Sequence, residues 1–150
     1  MNSISKCMAI TLASGAFALT GTIVNAAEKD TVKYRENLME VIGGHMGSIV
    51  AIVKGEVPYK SDLKLHADGM AAAATLVKPA FKTKAMTDKS HALPEIWTDW
   101  EAFAKSADQM EEASTKLASA VTGGDPATIG KAVAALGNTC KGCHDDFTDD

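Results

Sequence analysis

Apolar residues recur three and four positions apart along most of the chain, which is the spacing of an amphipathic α-helix. A first helix is predicted from about Thr31 to Lys54, with Asp30 as its N-cap and Gly55 as its end. Pro58-Tyr59 then interrupts the pattern. The positions expected to face inward are Leu38 or Met39, Ile42, Met46, Ile49 and Val53.

A second helix is predicted from Ser61 or Asp62 to Lys78, and Pro79 is expected to end it. The connection from Pro79 to Leu93 is longer than the others, so we expect it to line a site. The inward positions of this helix are Leu63, Met70, Ala74 and Val77.

The third helix is predicted to open at Pro94 and to end at Gly123-Gly124, and the fourth to run from Asp125-Pro126 to about Phe147. No segment alternates with the period of a strand. Four helices joined mostly by short links predict an all-α fold, an up-down-up-down antiparallel four-helix bundle.

The N-terminus has the pattern of a secretory signal peptide. Residues 1–27 hold no acid and one base, Lys6, followed by an apolar run from Met8 to Leu19 and the small-residue site Val24-Asn25-Ala26. We expect cleavage after Ala26, which divides the chain into a signal peptide, 1–26, and one domain, 27–150. The run is short for a bilayer, so we expect a periplasmic protein with no membrane span in its mature form.

Charge and cysteine content narrow the function. The formal net charge is −4 and Arg35 is the one arginine, so no basic stripe exists to bind nucleic acid.

Cys7 would leave with the signal peptide, which leaves Cys140 and Cys143 in the mature chain. One close pair cannot hold a fold together, so stability must come from a packed core or a bound group.

The segment Cys140-Lys141-Gly142-Cys143-His144 is the attachment sequence of c-type haem. On a helix the two cysteines lie on one face, one turn apart, and can bind one porphyrin while His144 reaches its iron as axial ligand. The motif predicts one haem c, attached covalently through both cysteines, inside the bundle near the C-terminal helix. The inward face of this helix is Ile129, Val133, Leu136, Cys140, Cys143 and Phe147.

Three other interpretations of the cysteines compete with haem attachment. A thioredoxin-like redox pair needs a βαβ context and a position at the start of a helix. A zinc site needs a fourth ligand, for which His45, His66 and His91 are the candidates. A disulfide across three residues of a helix has poor geometry.

Four segments together resemble cytochrome c′ and its six-coordinate relatives over essentially the whole mature chain. They are Val32-Lys33-Tyr34-Arg35, Lys54-Gly55-Glu56 with Pro58-Tyr59, Pro94-Glu95-Ile96-Trp97, and the haem motif continued by Asp145-Asp146-Phe147.

The resemblance implies roles for several residues. Met39 is placed at the distal haem face, either as a sixth iron ligand or as a contact that does not bind iron. Arg35 is placed beside a haem propionate, where the Glu36 carboxylate would be repulsive unless protonated, and Trp97 near the haem edge. Thr148 departs from the pattern, because relatives usually carry a cation four residues after the ligating histidine.

Two functions follow as hypotheses. The first is a periplasmic mono-haem cytochrome that carries one electron between periplasmic redox partner proteins. The alternative is a five-coordinate haem protein that binds NO or CO. An enzyme is disfavoured because no acid–base pair is evident near the distal side, and the resemblance implies a homodimer formed through the first two helices.

Overall fold

The computed structural model describes residues 20–88 and 90–149, with side chains from Ala26 onward. These residues form six α-helices and a short 3-10 helix, Lys60–Asp62. The α-helices are α1 Thr20–Val53, α2 Leu63–Ala74, α3 Val77–Phe81, α4 Glu95–Thr98, α5 Trp100–Gly123 and α6 Pro126–Phe147.

The four long helices pack as the predicted bundle. Helix α2 lies against α1, α5 against α2 and α6 against α5, and contacts between α1 and α6 close the ring. Neighbours in sequence are therefore neighbours in space, which is the up-down-up-down order. Within the described residues no strand forms, and the one isolated bridge joins Ala92 to Thr148. The all-α prediction is confirmed.

The core consists of the inward faces predicted from the apolar spacing. Leu117 and Leu136 are fully buried at the centre of α5 and α6, and Ile49 occupies the same depth on α1. Val53 was expected to face inward and instead is exposed, while its neighbour Ile52 is buried. The inward face of α1 has moved by one residue near its C-terminal end.

Helix α1 begins earlier than predicted. It is already helical at Thr20 and passes through Asp30, which therefore does not cap it. The Thr31 hydroxyl donates instead to the Ala27 carbonyl one turn back, at 2.8 Å. The predicted signal peptide falls mostly on residues 1–19, outside the described residues. Across 20–88 and 90–149, no helix has both the length and the apolarity required to cross a membrane.

The predicted end of α1 is confirmed at Gly55. This glycine has φ +74°, a backbone conformation that other residues adopt with difficulty. Its amide donates to the Ile52 carbonyl at 3.0 Å, and the amide of Glu56 donates to the Ala51 carbonyl at 2.9 Å. This pair of bonds satisfies the last carbonyls of the helix and turns the chain away.

The second predicted helix is two helices, and Pro79 does not end it. Helix α2 stops at Ala74, α3 starts at Val77, and Pro79 is the third residue of α3. The first turn of a helix has no internal acceptors for its amides, so a proline costs nothing there. Pro79 would break a helix that ran without interruption from Ser61 or Asp62, because it would then lie in the helix interior.

The third predicted helix is likewise divided, at Asp99. This residue has φ −125° and ψ 62°, and its carboxylate accepts a bond from the Ala102 amide at 3.2 Å. It is therefore the N-cap of α5, and α4 is a single turn set before it. Asp125 caps α6 in the predicted way, accepting from the Thr128 amide at 2.8 Å.

Candidate functional site

The Cys-x-x-Cys-His segment lies in the last two turns of α6. Cys140 and Cys143 are half-buried and pack against the core, and His144 follows them. Both cysteines are free thiols, so the disulfide interpretation is not supported. Phe147, one turn after Cys143, is buried and anchors this end of the helix.

Burial keeps both thiols protonated at neutral pH. It raises the pKa of Cys143 to about 11, with smaller contributions from the charges of Cys140 and Asp146. Burial also raises the pKa of Cys140. No group of three or more His, Cys, Asp or Glu in the described part of the chain could hold a metal ion, so a zinc site is not supported.

Beside these residues lies a largely apolar cavity of about 230 Å³ between α1, α5 and α6. Residues from all three helices reach it, together with Phe81 of α3 and part of the connection before α4. The side chains that matter for a ligand are Arg35, Glu36 and Met39 from α1, Phe103 and Met110 from α5, and Cys140, Cys143 and His144 from α6.

Met39 of α1 lines the cavity, and so does His144 of α6, the predicted axial ligand. Its side chain is half-buried and packs against the core. Met46, two turns along the same helix, does not line the cavity. The structure therefore brings Met39 to the same cavity as the three residues of the haem motif, Cys140, Cys143 and His144.

Arg35 is 4% exposed, although its side chain is charged. Its Nε donates to the Ala80 carbonyl at 2.9 Å and its Nη1 to the Ala85 carbonyl at 2.8 Å. Its Nη2 donates to the Thr83 carbonyl. Of the five N–H groups of a guanidinium, two remain for a further acceptor. Arg35 thus ties α1 to the end of α3 and the chain that follows it.

Trp97 and Glu36 occupy different positions around Arg35. The Trp97 indole donates to the Phe81 carbonyl at 2.8 Å and is not among the residues that line the cavity. The Arg35 guanidinium lies over its ring, 5.3 Å from the centroid. Glu36 does line the cavity, and its carboxylate pairs with Lys33 at 3.3 Å.

The connection before α4 is joined to the end of α6. The Leu93 amide donates to the Phe147 carbonyl at 3.0 Å, and the Asp149 amide to the His91 carbonyl at 3.1 Å. His91 Nδ1 also lies 3.0 Å from the Asp149 carboxylate. Because this places His91 and Ala92 on the cavity wall, the expectation that the connection lines a site is confirmed.

Sequence reasoning missed part of the cavity wall. Phe103 packs against both Phe81 and Phe147, with ring centroids 5.1 and 5.4 Å away. Met110 adds a second thioether to the lining. Phe103 and Met110 lie seven residues apart at helical spacing, but that spacing does not separate a core position from a cavity wall.

The sequence model of the family described as Cytochrome C' matches residues 30–148. The chain belongs to the cytochrome c′ family. A cytochrome c′ from Pararhodospirillum photometricum is 38% identical over 123 residues, which are 81% of this chain and 98% of that relative.

Solved structures of the same family have this fold. Cytochrome c prime from Shewanella frigidimarina superposes with a TM-score of 0.77 at 28% identity, over 82% of this chain and 97% of that one. A nitric oxide complex of a mutant of cytochrome c prime from Alcaligenes xylosoxidans gives a TM-score of 0.75 at 28% identity, with the same coverage. A carbon monoxide-bound variant from that organism also has a TM-score of 0.75, at 28% identity and the same coverage.

Cytochromes c′ carry covalently bound haem c, and the residues of this chain fit that group. Two free, protonated thiols one helical turn apart line an apolar cavity together with a histidine on the next residue. Thioether formation requires thiols that are not already paired with each other. The chain is therefore a haem cytochrome.

We predict that Arg35 stabilises the fold through its three carbonyl contacts. Arg35→Met should lower the free energy of unfolding by about 3 kcal/mol or more, because buried acceptors lose a charged donor. Thermal or denaturant unfolding of the haem-loaded protein, followed by circular dichroism, measures this. Glu40→Met, an exposed change on the same helix, should stay within about 0.5 kcal/mol. Equal losses in the two variants would contradict the assignment.

Proposed function

We propose that this protein is a periplasmic mono-haem cytochrome that carries one electron between redox partner proteins. The observation that supports this most is the largely apolar cavity lined by Met39, Cys140, Cys143 and His144. In such a cavity the protein supplies attachment, axial ligation and exclusion of water.

The residues of α6 hold the group. Cys140 and Cys143 would hold the haem through one thioether each, and the His144 imidazole would bind its iron. The haem supplies an iron that changes between ferrous and ferric by one electron. The half-buried position of the two cysteines, which lie against the core, supports attachment inside the bundle rather than on its surface.

The residues of α1 contact the opposite side. Met39 is the distal residue and the possible sixth ligand, and Arg35 has two N–H groups left for a propionate. Glu36 lines the same cavity, and its carboxylate would repel a propionate unless protonated. The ammonium of Lys33, 3.3 Å away, offsets part of that negative charge. Trp97 acts through Arg35, on which its ring stacks.

Binding of NO or CO is the second candidate function. Its support is that Alcaligenes xylosoxidans cytochrome c prime has been solved with nitric oxide and with carbon monoxide. The wall of the cavity that Met39 lines is largely apolar, which would favour a small uncharged ligand. In this case Met39 would contact the distal face without binding iron. Neither candidate requires an acid–base pair, and we do not propose an enzyme.

The N-terminal sequence pattern supports the periplasmic assignment. The pattern of residues 1–26 is that of a signal peptide, and cleavage after Ala26 would leave 27–150 as the mature domain. The family match begins at residue 30, just after this point.

A homodimer formed through α1 and α2 is supported by exposed apolar side chains. Tyr34 and Val41 are both 51% exposed and lie seven residues apart on one face of α1. Leu65 on α2 is 69% exposed, and Leu76 just beyond α2 is 45% exposed. A second copy of this chain would cover these side chains.

We predict that Met39→Ala increases CO binding by the ferrous protein about tenfold or more, equal to about 1.4 kcal/mol. The thioether occupies distal space whether or not it binds iron, and its removal frees that space. Absorption spectra with and without CO measure this. They also separate the two functions, because a wild-type haem ligated by Met39 resists CO whereas a five-coordinate haem binds it.

Met46→Ala provides the matched control for this prediction, since Met46 is half-buried on the same helix but outside the cavity. Its spectra should be those of the wild type. Unchanged CO binding in Met39→Ala would remove Met39 from the distal side.

We predict that Val41→Glu with Leu65→Glu converts the dimer to a monomer, because two carboxylates per chain would be buried without partners. Sedimentation velocity measures the change. Ala134→Glu, an exposed change on α6, should leave the dimer intact. A wild-type protein that sediments as a monomer at all concentrations would contradict the proposed dimer.

A further inference from the structure

Two histidines away from the haem cavity lie side by side. His45 on α1 and His66 on α2 have their Nδ1 atoms 3.1 Å apart, and neither residue lines the cavity. Both side chains are half-buried, so each ring has one part against protein and one part open to water. The haem function uses neither of them.

The two nitrogens are close enough to bind one cation once both rings turn toward it. Two histidine nitrogens bound to one zinc at 2.0–2.1 Å lie about 3.1 Å apart when the angle at the metal is about 98°. That angle falls between square-planar and tetrahedral geometry. Without a cation, one neutral imidazole donates its Nδ1–H to the other, and the proton lies between the same two atoms.

Gly69 provides the space that the His45 ring needs. A Cβ atom at position 69 would lie 2.5 Å from His45 Cε1 and 2.6 Å from Nε2, which is closer than atoms can approach. The ring is therefore seated against the backbone of α2, with the plane of the His66 ring at 67° to it. The ring centroids lie 5.4 Å apart, so each Nδ1 points at the other ring, and both rings must turn for the two nitrogens to bind one metal.

We propose that His45 and His66 form a binding site for a divalent transition-metal cation, with water in the remaining positions. Neutral imidazole suits Cu²⁺, Ni²⁺ and Zn²⁺, and affinity follows the order Ni²⁺ < Cu²⁺ > Zn²⁺. The ligand set is two nitrogens, because no group of three or more His, Cys, Asp or Glu among residues 20–88 and 90–149 could hold a metal. On binding, the shared Nδ1 proton moves through solvent to Nε2 of the same ring, so both imidazoles stay neutral.

The test is titration of the haem-loaded protein with Cu²⁺, followed by electron paramagnetic resonance. We expect one Cu²⁺ per chain with hyperfine splitting from two imidazole nitrogens. His45→Gln and His66→Gln should each lose that two-nitrogen signal and bind Cu²⁺ at least about tenfold more weakly. His91→Gln is the matched control, because His91 lies on the connection beside α6, and it should bind as the wild type does.

Gly69→Ala tests the seat while keeping both imidazoles. The added methyl group displaces the His45 ring and should weaken Cu²⁺ binding about tenfold. Alanine is the better helix former, and an unchanged haem spectrum would show that the fold is retained. The proposal is overturned if the wild type shows splitting from one nitrogen, or if both histidine variants keep wild-type affinity. In either case the pair is a hydrogen bond only.

Discussion

The inward face of α6 carries two cysteines where a bundle helix would ordinarily carry aliphatic side chains. Ile129 and Leu136 continue the same face toward the N-terminus of the helix, and both are buried. Because the cysteines share this face, their side chains line the cavity that lies between α1, α5 and α6. A porphyrin joined to those sulfurs would enter the cavity that Met39 of α1 and Phe103 of α5 also line.

Two sets of polar contacts hold the loops beside the cavity to the helices. Arg35 binds three carbonyls in the chain from Ala80 to Ala85, and the connection before α4 forms backbone bonds with the end of α6. Loops at this end are thereby fixed to helices on both sides. The buried guanidinium of Arg35 therefore stabilises the fold, in addition to the propionate contact proposed for it.

Most of the fold could be predicted from the sequence, since apolar spacing identifies four inward faces and Gly55 and Asp125 identify helix ends. The breaks at Thr75 and Asp99 could not, because each leaves the apolar spacing intact and is a matter of local backbone geometry. The position of the haem motif near the end of the last helix could also be predicted, and His144 as iron ligand stays a prediction. The contacts of Arg35 and the pairing of His45 with His66 depend on which helices meet, and residue spacing within one helix says nothing about its neighbours.

The central claim is that one haem is bound covalently through Cys140 and Cys143. The intact mass of the processed chain, purified from a host able to attach c-type haem, tests it most directly. The prediction is the mass of the polypeptide plus one haem, which stays with the protein after acid extraction, and the polypeptide mass alone when both cysteines are replaced by alanine. A wild-type chain that weighs only what its amino acids weigh would contradict it.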